Sequence, residues 1–269
     1  MNLLVIEMRR ALHRRLVRVL ILLALVAIVV AGVIEFLAST DLDVAALLAK
    51  GKHDPAVMTD WWQTGGDAVI LIAAFFLVMG GLLGGASVVG AEWRAGTIGT
   101  VLTWEPRRVR LHAARVGSAA LLAAVIAFVL QALLLAAFVP SVLAHGTTAG
   151  VDGEWVVSLV SAMARVSLLT ALATVLGCAL ATFGRNTVAA IVVAWGWLAI
   201  GEGMVRGLLP DLQRWLIGEN ASIVLTWTGI RRLEASPTPL VALLTIVGCC
   251  LVFAVGSAVF FNRRDVVAA

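Results

Sequence analysis

The sequence predicts an all-α integral membrane protein with six transmembrane helices. Three observations carry this. Apolar residues make up 61% of the 269 positions and charged residues only 13%. The mean hydropathy is +1.03. The apolar residues also fall in long unbroken runs rather than in short alternating pieces. A soluble fold of this length would need far more polar surface to cover its core. Lipid, by contrast, wets an apolar exterior directly and asks only that each backbone polar group be satisfied within a helix.

A helix needs about 20 apolar residues to cross roughly 30 Å of hydrocarbon. Six runs meet this, at about 17–37, 68–90, 113–139, 156–183, 187–209 and 239–261, and are numbered here as spans one to six. The first is too long for the apolar part of a cleavable signal peptide, and no small-x-small site with a polar start follows it. With no internal repeat or linker visible, one membrane domain over residues 1–269 is expected. Ahead of span one, Leu4, Met8 and Leu12 recur at i+4 spacing while Arg10 and Arg14 take another face. This predicts an amphipathic helix over residues 2–15 lying in the headgroup layer, with a plain arginine-rich cap as the alternative.

The distribution of Arg and Lys sets direction. Six spans put both termini on one side. That side holds Arg9, Arg10, Arg14, Arg15, Arg18, Arg94, Arg107, Arg108, Arg110, Arg115, Arg185, Arg263 and Arg264, 13 of the 20 basic residues, against Glu7, Glu92, Glu105 and Asp265. The other side holds Lys50, Lys52, Arg206, Arg214, Arg231 and Arg232 with most of the acids. Both termini are therefore expected in the cytoplasm. Trp61, Trp62, Trp155, Trp215 and Trp227 fall near outer span ends, as an interfacial aromatic belt would.

Cys178, Cys249 and Cys250 all lie inside apolar runs without CxxC spacing, which suits small packing residues. His13, His53, His112 and His145 are scattered, so no metal site is expected. No basic run alternates with aromatics along a soluble face, so nucleic acid is not an expected partner.

Between spans two and three stands GAEWRAGTIGTVLTWEPRR, residues 90–108. Topology alone needs only a short joint with an arginine, as Gly184-Arg185-Asn186-Thr187 shows between spans four and five. Pro106 suits the first turn of a helix that continues into span three. Before it, Glu92 to Thr103 has helical length, weakened at Gly96 and Gly99. A short cytoplasmic helix along the membrane surface is predicted.

Glu92-Trp93-Arg94-x-Gly96-Thr97, followed by Leu102-Thr103-Trp104-Glu105-Pro106-Arg107-Arg108, resembles the signature of ABC-2 type transporter permeases. It is most similar to single-domain permeases of high-GC Gram-positive bacteria, and the likeness extends over the whole chain as one ABC-2 type transmembrane domain. The resemblance implies that Glu92, Trp93, Arg94, Gly96, Thr97, Leu102, Trp104, Glu105, Pro106, Arg107 and Arg108 belong to a coupling helix docking into a separate P-loop ATPase subunit. It also implies a multi-pass protein of the bacterial plasma membrane, with a second permease copy, identical or related, completing the pathway. No GxxxxGK[ST] occurs here, so ATP and Mg are expected in the partner chain and this chain is not itself expected to be an enzyme.

Two further groups stand out within the spans. Gly80/Gly84 and Gly81/Gly85 form paired GxxxG spacings in span two, which permit close helix approach. They suit packing within the chain, with a seam between two copies as the alternative. Arg165 in span four and Glu202 in span five fall at similar depth on antiparallel neighbours and are expected to form an intramembrane ion pair, or else to touch substrate. The stretch 210–238 has only short apolar pieces, predicting interfacial or re-entrant helices on the outer face. The loop from Ser39 to Gly66 is an acidic outer cap. Function then divides into the membrane subunit of an exporter for a hydrophobic or amphipathic compound, an intramembrane enzyme, or a non-transporting anchor or sensor. The enzyme reading lacks paired carboxylates or a Ser/His set at membrane depth.

Overall fold

The computed structural model describes residues 3–45, 53–62, 69–96, 107–227 and 237–263. Its helices are α1 (Leu3–Leu12), α2 (Arg15–Ala38), α3 (Val69–Arg94), α4 (Arg108–His145), α5 (Gly153–Gly184), α6 (Thr187–Gly196), α7 (Glu202–Leu208), α8 (Ile217–Thr226) and α9 (Pro239–Arg263). Six segments are long and apolar enough to cross a membrane: α2, α3, α4, α5, the α6–α7 pair and α9. This is the architecture of a multi-pass membrane protein. Among the described residues there is no strand, only an isolated bridge between Val57 and Thr147.

The boundaries follow local chemistry. Asp152 accepts a 2.7 Å hydrogen bond from the Trp155 amide to start α5, and Asn186 accepts one of 2.8 Å from Val188 to start α6. Pro239 opens α9, where its missing N–H costs nothing. Helix α4 overruns its apolar run at both ends. Its 38 residues rise roughly 57 Å, because the polar turn from Arg108 to His112 continues the same helix. Span five is less regular: α6 and α7 are joined by a π-turn over Trp197–Gly201.

Helix α5 is the most enclosed span, packed between α3 and α4. Glycines bring α3 and α5 together. A Cβ on Gly81 or Gly85 would run into the carbonyl of Thr170 or Thr174, and one on Gly177 into that of Leu82. The Cys178 thiol donates to the Gly85 carbonyl at 3.3 Å. Gly81 and Gly85 thus pack within the chain, whereas Gly80 and Gly84 meet nothing within 4 Å. Polar ties add specificity: Gln131 Nε2 of α4 donates to the Met163 carbonyl at 3.3 Å and Ser167 Oγ at 3.2 Å on α5.

The far end is a packed cap. Trp61 and Trp155 are both buried, with ring centroids 6.4 Å apart. Trp61 Nε1 donates to the Pro55 carbonyl at 2.7 Å. These two are core residues rather than members of an interfacial belt, because residues 53–62 fold against the start of α5, where Trp155 Nε1 donates to the Thr59 carbonyl at 3.5 Å. Trp215 and Trp227 are exposed, as a belt requires. The short helix α8 buries Ile223 and Val224 against α5 and α9, while buried Asn220 donates to the Arg214 and Leu216 carbonyls at 2.8 Å.

Candidate functional site

At the arginine-rich end, three helices meet over a buried ionic cluster. Glu7 of α1, Glu92 at the end of α3 and Arg115 in α4 are each no more than 5% exposed. Arg14, at the α1–α2 joint, places Nη2 2.7 Å from Glu92 Oε1 and donates through Nη1 to the Ser87 carbonyl at 3.0 Å. Arg115 Nη1 lies 2.8 Å from Glu92 Oε2, an ion-pair approach without hydrogen-bond angle. Arg115 Nε also reaches Glu7 Oε2 at 3.5 Å. Arg10 completes the set, 2.8 Å from Glu7 Oε1 and 3.6 Å from Glu92 Oε1. Burial lowers the Arg14 pKa; Glu92 opposes this and Arg115 and Arg10 reinforce it. Removing one partner of such a buried pair costs about 3–5 kcal/mol, because the other charge is left uncompensated.

The motif between spans two and three therefore divides. Glu92 is consumed inside the fold. Trp93 stands under the Arg185 guanidinium, 4.8 Å from its ring centroid, and edge-on to Phe261 at 6.2 Å. Phe261 in turn stacks on His112 at 5.5 Å, and His112 Nε2 contacts Ser257 Oγ at 3.0 Å. Trp93 thus ties α3 to the span four–five joint and to α9. Arg94 and Gly96 are exposed, and Gly96 takes φ +65°, where glycine is favoured. Arg107 is exposed and Arg108 half-buried at the start of α4. Thr97, Leu102, Trp104, Glu105 and Pro106, and with them most of the predicted surface helix, lie outside the described residues. Glu92, expected on a docking face, is instead a buried structural acid, because Arg14 and Arg115 converge on it.

The expected pair of Arg165 and Glu202 is not formed; each has other partners. Arg165 lies between two indoles, 4.9 Å from the Trp62 ring centroid and 5.2 Å from that of Trp227, with Ser161 Oγ at 3.3 Å. Glu202, 2% exposed, accepts from the Gly218 amide at 2.8 Å in the first turn of α8 and lies 3.6 Å from Arg206 Nη2. A carboxylate at a helix N-terminus satisfies an orphan donor and meets the positive end of the helix dipole. The competing partners, two rings and a backbone amide, were not legible in the sequence.

A second feature is a cavity of ≈480 Å³ between α2, α3 and α4, floored by α5. Gly80 and Gly84 open onto it, with Leu20, Ala123 and Trp195 among its walls. It exists because α2 packs mainly against α4 and only lightly against α3. A Cβ on Gly32 would meet the Ala137 carbonyl of α4 at 2.9 Å, so the two helices are tight there. At the other end α1 is held by the ionic cluster, and between these contacts α2 stands away from α3.

Two residues that the sequence reading passed over, Glu7 and Arg115, prove central to the cluster. Glu7 is the sole acid before Glu35, set among five arginines, and it lies four residues from buried Ala11 on the same face. An isolated acid in a basic flank is a signal for pairing. No protein-family model matches the chain, and no curated protein matches it significantly.

Proposed function

We propose that this chain is the membrane-spanning permease subunit of an ATP-driven ABC exporter of ABC-2 type, coupled to a separate nucleotide-binding subunit through residues 92–108. The observation that carries this reading is the position of the buried ionic cluster. It clamps α1 and the ends of α3 and α4 at the two roots of the 92–108 stretch. A push on that stretch then moves three helices together, and the glycine contacts of α3 with α5 pass the motion into the bundle. Such elements transmit displacement because packed interfaces switch rather than deform smoothly.

In this reading the arginine-rich end faces the bacterial cytoplasm, ATP and Mg bind in the partner chain, and two permease copies frame the path. Closure of the partner ATPases on ATP drives the stretch toward the membrane and opens a route for a hydrophobic or amphipathic compound. Arg94, exposed and outside the cluster, is the described residue best placed to meet the partner, and Trp104 stands ten residues further along the motif.

Affinity purification from the host in mild detergent tests this. A P-loop ATPase should accompany the wild-type chain and be lost, or reduced about tenfold, with Arg94→Ala and Trp104→Ala combined. The variant chain should itself elute as the wild type does. Absence of any ATPase with the wild type overturns the exporter reading and leaves the anchor or sensor alternative.

A further inference from the structure

Six side-chain atoms among the described residues are buried without a hydrogen-bond partner. Those of Glu92 and Arg115 belong to one ion pair. Those of Trp93, Gln131 and Asn220 belong to neutral groups. The sixth, Arg165 Nε, sits on a charge, and Arg165 makes no ion pair among the described residues. The Trp62 and Trp227 rings offset part of that charge but bring no oxygen to the guanidinium, and Ser161 Oγ meets Nη1 at 3.3 Å. A buried charged donor without an acceptor is uncommon, and an ionisable group within a span marks a functional site by default.

α5 carries a polar file to this point. Glu154, Ser158, Ser161 and Arg165 are spaced by four, three and four residues, so they share one face, and none of them is buried. The file runs about 17 Å inward from the capped end. Exposed Val157 and Leu168 flank it on one side and buried Ala162 and Leu169 on the other. Hydrocarbon gains nothing from such a file, whereas a polar head group entering from that end is solvated along it.

Trp227 is held against Arg165 at a backbone cost. It closes α8 at φ +56°, a left-handed position that helix ends ordinarily give to glycine and that is an outlier for a bulky residue. Strain of this kind collects at ligand clamps. Trp227 is also exposed, unlike half-buried Trp62, so it is the wall that an entering ligand meets.

A guanidinium presents its N–H groups as a fork that matches a carboxylate or a phosphate. The geometry points to a binding site for the oxyanion head of an amphipathic compound, seated on Arg165 beside Trp227, with its apolar body along the exposed face of α5. Because Nε is enclosed, the Trp227 ring shifts as the head group enters. Binding needs no ATPase, so the site stands or falls apart from the export reading. Within that reading it names the substrate as an organic anion.

Titration of the purified full chain in dodecyl maltoside with α-bromodecanoate tests this, since bromine beside the carboxylate quenches only nearby indoles. The wild type should show saturable quenching that decanoate reverses and decyltrimethylammonium does not. Arg165→Gln should abolish the saturable part. Arg165→Lys, which keeps the charge without the fork, should weaken it about tenfold. Reversal by dioleoyl phosphatidylglycerol as well as decanoate would assign the oxyanion to a lipid headgroup, and reversal by decanoate alone to a free acid; both support the site. Equal reversal by the cation, or no saturable quenching of the wild type, overturns it without recourse to a variant. So does unchanged quenching in Arg165 variants that elute as the wild type does.

Discussion

Gly84 and Gly85 are neighbours on one helix with opposite surroundings. A Cβ on Gly85 would collide with the Thr174 backbone, which cannot yield without moving α5, while one on Gly84 meets open space. Overpacking of this kind costs about 1–3 kcal/mol, and replacing an interior helical glycine by alanine otherwise gains about 1 kcal/mol. Gly85→Ala should therefore lower the unfolding temperature in detergent, and Gly84→Ala should hold or raise it, both read by fluorescence-detected size-exclusion after heating. Equal losses would show that the two glycines serve one interface. The same logic separates the arginines. Arg115 is buried with two acids, whereas Arg165 rests between indoles, so charge alone did not foretell which would pair.

Helix α8 shows how a short segment between two spans is held. Its first turn is anchored by Glu202 of α7, and its middle is buried through Ile223 and Val224. A charge-assisted hydrogen bond contributes about 1.5–3 kcal/mol. Glu202→Ala should thus speed amide exchange at Gly218 to Ser222 by about one to two orders of magnitude while leaving α5 unchanged; uniform exchange in both variants would remove Glu202 from that role. The six spans themselves were legible because about 20 consecutive apolar residues have few other uses. Their ends were less so. The helix expected to lead from Pro106 into span three is present from Arg108 on, but at its other end it runs through Pro140 to His145, past the end of the apolar run at 139. Trp61 and Trp155 read as belt residues because span-end position was visible and the packing of residues 53–62 was not. The partners of Glu7 and Glu202 were beyond the sequence for a related reason. One is an arginine 108 residues away, and the other is a backbone amide that any residue carries.

At the scale of the whole molecule, the bundle has one arginine-rich end and one end capped by residues 53–62 and by α8. If the excess of arginines sets direction, an impermeant thiol reagent applied to intact cells should label Gln213→Cys and spare Arg94→Cys until the membrane is opened. The reverse pattern would invert the protein and remove any cytoplasmic role for residues 92–108. The ionic cluster has a further consequence, for the order in which the protein is made. Glu7 and Arg14 leave the ribosome first, yet their partners Glu92 and Arg115 follow only with the second and third spans. Until then Glu7 has only Arg10 of its own helix as a partner, and α1 has nothing in the bundle to close upon. Its locking is therefore a late event of biogenesis, available only to a chain whose first three spans have been inserted the right way round.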